Sequence, residues 1–495
     1  MMEDAVNETS RLSETEEKHD LRSRSKLFRL LEIFSVEPVI LFYIIFAKTA
    51  SLTTDNLNLE KTCSVNLKFN ASVCQAMVVR NRSGYSADQE IEVQKFVAMM
   101  VAIKFAILGI IPFFLMLFLG SWSDKYKRRK PLILLPICGD IVSVFGCLLC
   151  SYFFFELPVE VAIFFETIPA SVTGSWVCFS VGVFCYVAEH STLDRRTPRI
   201  GITTMCFRVS HAVGLALSGV LYRTLGFKGV YSLCILMNTI ALMYGKFMIN
   251  NRSKYEEPRA NTNIMKDIFN YKYALSTLSV IFRQKDKKKK LGLILLLLIN
   301  TIEIGILRGE LGVTYLFTRR KFTWDEVDYS VYSTYHILIQ FTGSFLSITI
   351  LAKWLKLDDA LIGMISVGMA AVLCFGQSLV PNGFFFYTMS SLDIFSGCPQ
   401  MAYRSMFSKM VSSKELGQAF AVSALFEALA PLLFGTMYSF VYRQTIRVYP
   451  GSFYILSSCL HIVSFCIFFS LYISKHNKPK EDSNIDQGRG HVMQK

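Results

Sequence analysis

The fold is decided by the stretch Gly120-Ser-Trp-Ser-Asp124-Lys-Tyr-Lys-Arg128-Arg129-Lys130, which is followed by Pro131. Residues 96–119 before it are apolar apart from Lys104, and a second apolar run extends from 132 to 155. Each run is long enough to cross a bilayer as a helix. Five Lys/Arg and one Asp therefore occupy a tight turn between two membrane spans. Because short cationic loops stay in the cytoplasm, we expect this turn to lie inside the cell.

The composition places the rest of the chain in the membrane as well. Its 495 residues are 52% hydrophobic and only 18% charged, which excludes a soluble enzyme and favours a polytopic membrane protein. The net charge of +14 is explained by cytoplasmic loops that face anionic lipid, so no nucleic-acid partner is expected. Residues 1–32 are polar and contain no short apolar core, so we expect no cleavable signal peptide.

The apolar runs predict twelve membrane spans. Loops on one side of these spans carry an excess of Lys and Arg, which places both chain termini in the cytosol. The cationic segment Arg319-Arg-Lys321 breaks this rule, because it falls on the outside. The predicted spans are 37–52, 96–119, 132–155, 159–187, 200–221, 229–249, 291–317, 329–351, 360–380, 384–404, 418–441 and 452–474.

This arrangement predicts an all-α fold with two six-helix lobes joined by a basic linker. Such lobes hold the substrate between them, near the middle of the bilayer. The predicted parts are a cytosolic tail at 1–35, an N-terminal lobe at 36–249 with an extracellular loop at 53–95, a cytosolic linker at 250–290, a C-terminal lobe at 291–474 and a cytosolic tail at 475–495.

The loop 53–95 carries the marks of a non-cytosolic segment. It holds Cys63 and Cys74, while the other eleven Cys lie in or beside apolar runs. We predict a Cys63–Cys74 disulfide, since disulfides form outside the cytosol. No Cys/His spacing indicates a metal site, and no cofactor is expected. Sequons in this loop, at Asn70 and Asn81, are predicted to carry glycans, whereas those on the cytosolic side, at Asn7 and Asn251, should stay unmodified.

Ionisable residues inside the spans mark the candidate substrate and proton site. Each costs on the order of 3 kcal/mol at the bilayer centre unless it has a partner or an aqueous cavity. Buried carboxylates suit proton coupling, and an Arg attracts an anionic substrate. A structural ion pair between helices is the alternative for each group. The helical period places three sets on shared faces, namely Thr204 with Arg208 and His211, Glu303 with Glu310, and Asp393 with Arg404.

Some of the other intramembrane charges are interpreted as structural, whereas Lys104, Asp140, Arg308 and Glu427 stay candidates. Lys48 and Glu166 can snorkel or face the backbone of a neighbour. His461 is interpreted as a satisfied buried histidine. Arg308 points away from the face that Glu303 and Glu310 share.

The pattern Gly120-x-x-x-Asp124-Lys-x-x-Arg128-Arg129-Lys resembles the signature between the second and third spans of the major facilitator superfamily of secondary transporters. Lys127 stands where that signature usually has glycine. In the family, the Asp and Arg take part in a charge lock between helices of the two lobes. The resemblance therefore implies a gating role for Gly120, Asp124, Arg128 and Arg129, and an ordinary cytoplasmic turn is the alternative.

Further stretches resemble the solute carrier 46 family, whose best-known member is the proton-coupled folate transporter. They are Glu37-Pro38, Val187-Ala-Glu189, Phe322-x-Trp324-Asp325 and the run from Pro399 through Arg404 into Gly417-Gln-Ala-Phe-Ala. The resemblance implies that Arg404 takes part in proton coupling and substrate binding.

Other positions of the folate transporter do not carry over. Its ionisable positions in the fourth, fifth and seventh spans fall at Ser175, Thr204 and near Gly305, although Glu310 keeps a nearby carboxylate. The second Cys of its long-range disulfide is Thr323 here, which leaves Cys74 as the partner of Cys63.

The sequence thus predicts a secondary transporter that imports an organic anion with protons by alternating access. The anion is folate-like, nucleotide-like or peptidic, and the membrane is the plasma membrane or an endo-lysosomal one. A proton-independent exchanger or uniporter of the same fold is the alternative, followed by a non-transporting receptor. No Gly-x-Ser-x-Gly, His-Glu-x-x-His or P-loop motif is present, so no enzyme or ATP-driven pump is expected.

Overall fold

The computed structural model describes residues 36–126, 128–190, 193–249, 287–346, 357–394, 398–411 and 416–476, together with 350, 354 and 355. These residues are almost entirely helical, and they include no β-strand. The predicted all-α class is therefore confirmed. The predicted tails and linker, and the sequons at Asn7 and Asn251, lie wholly or largely outside the described residues.

The N-terminal half begins with a long helix whose first turn holds Pro38, where a missing N–H costs nothing. Gly174 separates two later helices with a φ of 91°, and Gly226 bends another with a φ of 64°, both in the left-handed region that favours glycine. The helices are α1 Glu37–Lys61, α2 Ala71–Val78, α3 Ala87–Tyr126, α4 Lys130–Tyr152, α5 Val159–Val172, α6 Ser175–Glu189 and α7 Leu193–Met248.

The C-terminal half begins at the helix that follows the linker. Side-chain caps mark two of its helix starts, where Asp358 accepts from the Ala360 N–H at 3.0 Å and Asn382 accepts from the Phe385 N–H at 3.2 Å. The π turn Pro431–Gly435 connects α13 to α14. The helices are α8 Lys287–Phe322, α9 Glu326–Leu346, α10 Asp359–Leu379, α11 Gly383–Leu392, α12 Cys398–Met410, α13 Leu416–Ala430, α14 Thr436–Thr445 and α15 Ser452–His476.

Eight helical segments in the described part of the chain are long and apolar enough to cross a membrane. Gly226 lies inside one of them, Ile202–Met248, which covers the predicted fifth and sixth spans. The predicted first, eighth and tenth spans are helical but are too polar or too interrupted to meet this criterion. A polytopic membrane protein is therefore confirmed, and the count of twelve stays a prediction.

Two helices differ from the sequence-based expectation in ways that matter for the site. α1 continues to Lys61, past the predicted end of the first span at residue 52, so Asp55 lies in the helix rather than in the loop 53–95. The predicted tenth span breaks, because α11 ends at Leu392 and α12 starts at Cys398. Asp393 and Arg404 are therefore not on one continuous helix, and the argument that they share a face was wrong.

Small residues let the helices approach closely. A Cβ added at Gly214 of α7 would lie 2.6 Å from the Ile45 carbonyl oxygen of α1, and Thr49 donates to the Gly214 carbonyl at 3.2 Å. Between the halves, a Cβ at either Gly312 or Gly435 would lie 2.5 Å from the Phe105 ring of α3. These contacts bring α1 against α7, and α3 against α8 and α14, at the depth of the candidate site.

Candidate substrate and proton sites

Four basic side chains from both halves converge where the halves meet. Lys48 lies on α1, Arg208 and His211 on α7, and Arg308 on α8, and all four are partly buried. Lys48 interacts electrostatically with Arg308, and His211 does so with the other three. The close packing of α1 against α7 places Lys48 near His211. The Lys48 Cβ lies 2.9 Å from the Cβ position of Gly214, which is one turn after His211. We call these four residues the central cation cluster.

Three carboxylates interact electrostatically with the central cation cluster, and one of them, Asp55, interacts with Lys48. Asp140 interacts electrostatically with Lys48, and Glu427 of α13 does so with Arg308. Glu427 is itself held by Asn300, whose Nδ2 donates to Oε1 at 3.0 Å. An arrangement of partly buried cations from both halves has the chemistry to hold an anion at the interface.

A second group of titratable side chains lies wholly within the C-terminal half. His461 Nδ1 lies 3.3 Å from Glu303 Oε1, and His336 Nε2 lies 3.8 Å from Asp393 Oδ2. Glu310 accepts a hydrogen bond from Ser457 of α15 and interacts electrostatically with both histidines and Asp393. We call Glu303, Glu310, Asp393, His336 and His461 the C-lobe cluster. Glu303 and Glu310 both face α15, and His461, interpreted from sequence as a satisfied buried histidine, contacts Glu303.

Arg404 is placed differently from the other predicted site residues. It is exposed on α12, and within the described residues no hydrogen bond or ion pair links it to either cluster. Its charge interacts with the neighbouring Tyr403. Its role in substrate binding stays a prediction.

A third group lies within the N-terminal half. Lys104 of α3 pairs with Glu166 of α5, and its Nζ lies 3.7 Å from Asp55 Oδ1 on α1. We call these residues the N-lobe triad. The interpretation of Glu166 and Lys48 as snorkelling side chains was wrong, since Glu166 pairs with Lys104 and Lys48 belongs to the central cation cluster. Sequence reasoning missed Asp55 because Lys48 and the hydroxyl-rich residues after it made the span appear to end early.

At the signature turn, α3 continues through Tyr126, so Gly120 and Asp124 are helical. Arg129 donates to Glu189 Oε1 from Nε at 3.1 Å and from Nη2 at 2.7 Å, and from Nη1 to Ser123 Oγ at 2.8 Å. Arg129 therefore ties α3, α4 and α6 together within one half. A lock between the halves through Asp124 and Arg128 stays a prediction, and the Asp124 side chain lies outside what the structure describes.

At the opposite end, which we call the outer end following the predicted orientation, ion pairs join the two halves. Arg320 Nη1 lies 2.7 Å from Glu90 Oε2, and Arg319 donates to the Met77 carbonyl at 3.0 Å. Further pairs connect Arg80 with Glu326 at 3.8 Å, Arg223 with Asp325 at 3.4 Å and Arg447 with Asp88 at 3.4 Å. The structure is thus closed at its outer end. The exception to the positive-inside rule is explained, because Arg319 and Arg320 are used in this closure.

The segment that supplies Met77 and Arg80 also holds the predicted modification sites. Cys63 and Cys74 form a disulfide with a Cα–Cα distance of 5.8 Å. Asn70 and Asn81 are both exposed.

The sequence model of the Major Facilitator Superfamily matches residues 95–435, which is more than half of the chain. The chain belongs to the Major Facilitator Superfamily. The two-lobed architecture expected from the signature turn is thereby confirmed as that of this superfamily, and the protein is a multi-pass membrane transporter.

Two relatives that are named as members of the solute carrier 46 family confirm the resemblance to that family. This transporter is 24% identical over 477 residues to a lysosomal proton-coupled steroid conjugate and bile acid symporter of Gallus gallus, covering 92% of this chain and 99% of the relative. It is 23% identical over 459 residues to a probable peptidoglycan muropeptide transporter of Drosophila melanogaster, covering 90% of this chain and 86% of the relative.

Solved structures share the transporter's fold. The human organic anion transporter MFSD10 superposes with a TM-score of 0.59 at 13% identity, covering 88% of this chain and 99% of that one. A D-xylose–proton symporter superposes with a TM-score of 0.60 at 12% identity, covering 88% and 97%.

Proposed function

We propose that this transporter imports an organic anion together with protons by alternating access. The observation that carries the proposal is the central cation cluster, which gathers Lys48, Arg208, His211 and Arg308 from both halves at their interface. An anion held there contacts both lobes, so its binding depends on how the lobes are arranged.

Proton coupling is supported by the C-lobe cluster. Its carboxylates and histidines lie at membrane depth, where burial disfavours unpaired charge and a bound proton offsets it. His461 and Glu303 are in contact, so protonation of either changes the charge of the pair. The electrostatic field at the central cation cluster therefore differs between the protonated and deprotonated states of the His461–Glu303 pair.

The relatives favour a steroid conjugate, a bile acid or a muropeptide as the class of substrate. The Gallus gallus relative is named for steroid conjugates and bile acids, and the Drosophila melanogaster relative for muropeptides. The former is also named as lysosomal, which favours an endo-lysosomal membrane over the plasma membrane for this chain. Import would then run from the acidic lumen to the cytosol, in the direction that a proton gradient drives.

The test is uptake into cells or vesicles at mildly acidic and at neutral pH, with a sulfated steroid, a bile acid and a muramyl peptide as labelled probes. We expect acid-stimulated uptake of at least one probe. Arg308→Gln and Lys48→Gln should each raise KM about tenfold or more, because each removes a charge-assisted hydrogen bond worth about 1.5 kcal/mol or more.

Arg443→Gln is the matched control, since Arg443 is an exposed arginine of α14. An unchanged KM in Arg308→Gln and Lys48→Gln would remove the central cation cluster from substrate binding. Uptake that is equal at both pH values would favour the proton-independent exchanger, the alternative to which Ser175 and Thr204 point.

A further inference from the structure

We propose that the N-lobe triad, Asp55, Lys104 and Glu166, is a second proton-binding site, built from helices other than those of the C-lobe cluster. This inference rests on the proposed function, because it names residues that bind the coupled proton. Asp55 is the group that accepts the proton.

The two carboxylates, Asp55 and Glu166, lie at different distances from the ammonium group of Lys104. Lys104 Nζ donates a hydrogen bond to Glu166 Oε1, whereas Asp55 Oδ1 lies 3.7 Å from the same nitrogen, beyond hydrogen-bond distance. The Asp55 side chain is 34% exposed, against 14% for each of the other two. Asp55 is therefore the carboxylate that Lys104 holds less tightly and that solvent reaches more easily.

The charge of the triad favours uptake of one proton. With every group ionised, two carboxylates face one ammonium, which leaves one excess negative charge inside the membrane. Such a charge costs on the order of 3 kcal/mol there, and one bound proton removes it. Glu166 adds to this cost, because its buried Oε2 has no hydrogen-bond partner in the part of the chain that the structure describes.

The neighbouring helices do not cancel the excess charge. Lys48 interacts with Asp55 but also with Asp140 of α4, so including both Lys48 and Asp140 leaves the count at one excess negative charge. Arg308, the next cation, also interacts with Glu427. The other titratable groups that face the triad are neutral side chains, namely Cys147 of α4, Tyr231 of α7 and Tyr329 of α9.

The position of Asp55 couples its charge to the arrangement of the lobes. The adjacent Asn56 accepts a hydrogen bond from Tyr315 of α8, and Asp55 interacts electrostatically with Tyr329 of α9. Both partners belong to the C-terminal half. Separation of the halves at the outer end therefore removes these neighbours and exposes Asp55, so that the protonated and deprotonated forms favour different lobe arrangements.

The experiment uses the full-length protein in liposomes, with a tritiated sulfated steroid as the probe and a pH-sensitive dye in the lumen. Uptake is measured at acidic and at neutral pH, and counterflow is measured in parallel because it exchanges substrate without net proton movement. In Asp55→Asn and Glu166→Gln we expect the ratio of acidic to neutral uptake to fall to about one, with counterflow retained. Asp55→Glu, which keeps the carboxylate, should retain acid stimulation.

Two further variants separate this inference from the proposed function. Glu156→Gln removes an exposed carboxylate near the start of α5 and should behave as wild type. Glu303→Gln tests the C-lobe cluster. Absence of acid stimulation in the wild type would contradict the proposed function. If Glu303→Gln abolishes acid stimulation and both triad variants keep it, the inference is wrong, but the proposed function is retained.

A measurement on the wild-type protein covers the case in which the variants do not fold. A hydrophobic carbodiimide reacts with protonated carboxyl groups in apolar surroundings, and mass spectrometry locates the product. We expect labelling of Asp55 or Glu166 that increases as the pH falls. Labelling of Glu303 or Glu310 without any at Asp55 and Glu166 across the acidic range would overturn the inference.

Discussion

At the scale of single residues, this transporter relies on fixed positive charge placed among helices. Lys48 and Arg308, from opposite halves, interact electrostatically, while Arg404 is exposed on a short helix after a break. An arginine keeps its charge in any of these environments and offers a planar set of donors to an anion. Position relative to the interface therefore decides which cation touches the substrate.

Arg404 supplies the residue-scale prediction. The resemblance implies that Arg404 contacts the anion; loss of such a charge-assisted contact, of about 1.5 kcal/mol, should raise KM about tenfold in Arg404→Ala, and Arg404→Lys should lose less. Uptake at constant surface abundance measures this. Arg443→Ala, at an exposed arginine of α14, is the control, and wild-type uptake by Arg404→Ala would exclude Arg404 from the mechanism.

At the scale of elements, the outer ends of α3 and α8 are joined by a partly buried ion pair. Glu90 is 7% exposed and accepts from Arg320, and the next carboxylate on that helix, Glu92, is exposed. Arg319 and Arg82 add hydrogen bonds between α8 and the segment before α3, to the Met77 and Arg320 carbonyls. Opening the outer end requires all of these contacts to break.

Glu90→Gln should therefore loosen the outer end, whereas Glu92→Gln should not. We expect amide hydrogen exchange in α2 and at the end of α8 to accelerate about tenfold in Glu90→Gln, corresponding to a loss of about 1.5 kcal/mol. The charge swap Glu90→Arg with Arg320→Glu should restore slow exchange. Equal exchange in the Glu90 and Glu92 variants would show that this pair does not hold the outer end closed.

At the scale of the whole molecule, the ion pairs differ between the two ends. Those at the outer end join the halves, whereas Arg129–Glu189, Arg199–Glu37 and Lys409–Asp359 at the other end each stay within one half. The ion pairs that join the two lobes at the outer end must break before the transporter opens at that end. The structure therefore corresponds to a state of the alternating-access cycle in which the outer end is closed.

The orientation of the molecule gives a direct prediction. Asn70→Gln and Asn81→Gln should each remove one glycan, and the double variant should migrate identically before and after glycosidase treatment. The reason is that both residues are exposed at the predicted outer end. Asn7→Gln and Asn251→Gln are the controls and should leave migration unchanged. A glycosidase-sensitive double variant would contradict the predicted topology.

The sequence by itself determined the class, the superfamily and the approximate spans, because long apolar runs and a cationic turn leave few other structures in a bilayer. It also singled out Arg208, His211, Glu303 and Glu310, since helical periodicity predicts which residues share a face. It could not predict that His211 interacts with Lys48 and Arg308, because partners on other helices lie on distant parts of the chain.

Only the tertiary structure decided the pairings. Lys104 finds Asp55 and Glu166 on two other helices, and the out-of-place cations Arg319 and Arg320 find Met77 and Glu90 in the opposite half. The hydropathy pattern alone predicted too early an end for the first span. It scores each charged residue as unfavourable in the membrane and takes no account of an oppositely charged partner on another helix. A charge inside the membrane is tolerated when another helix neutralises it, and that neighbour is known only once the helices are packed.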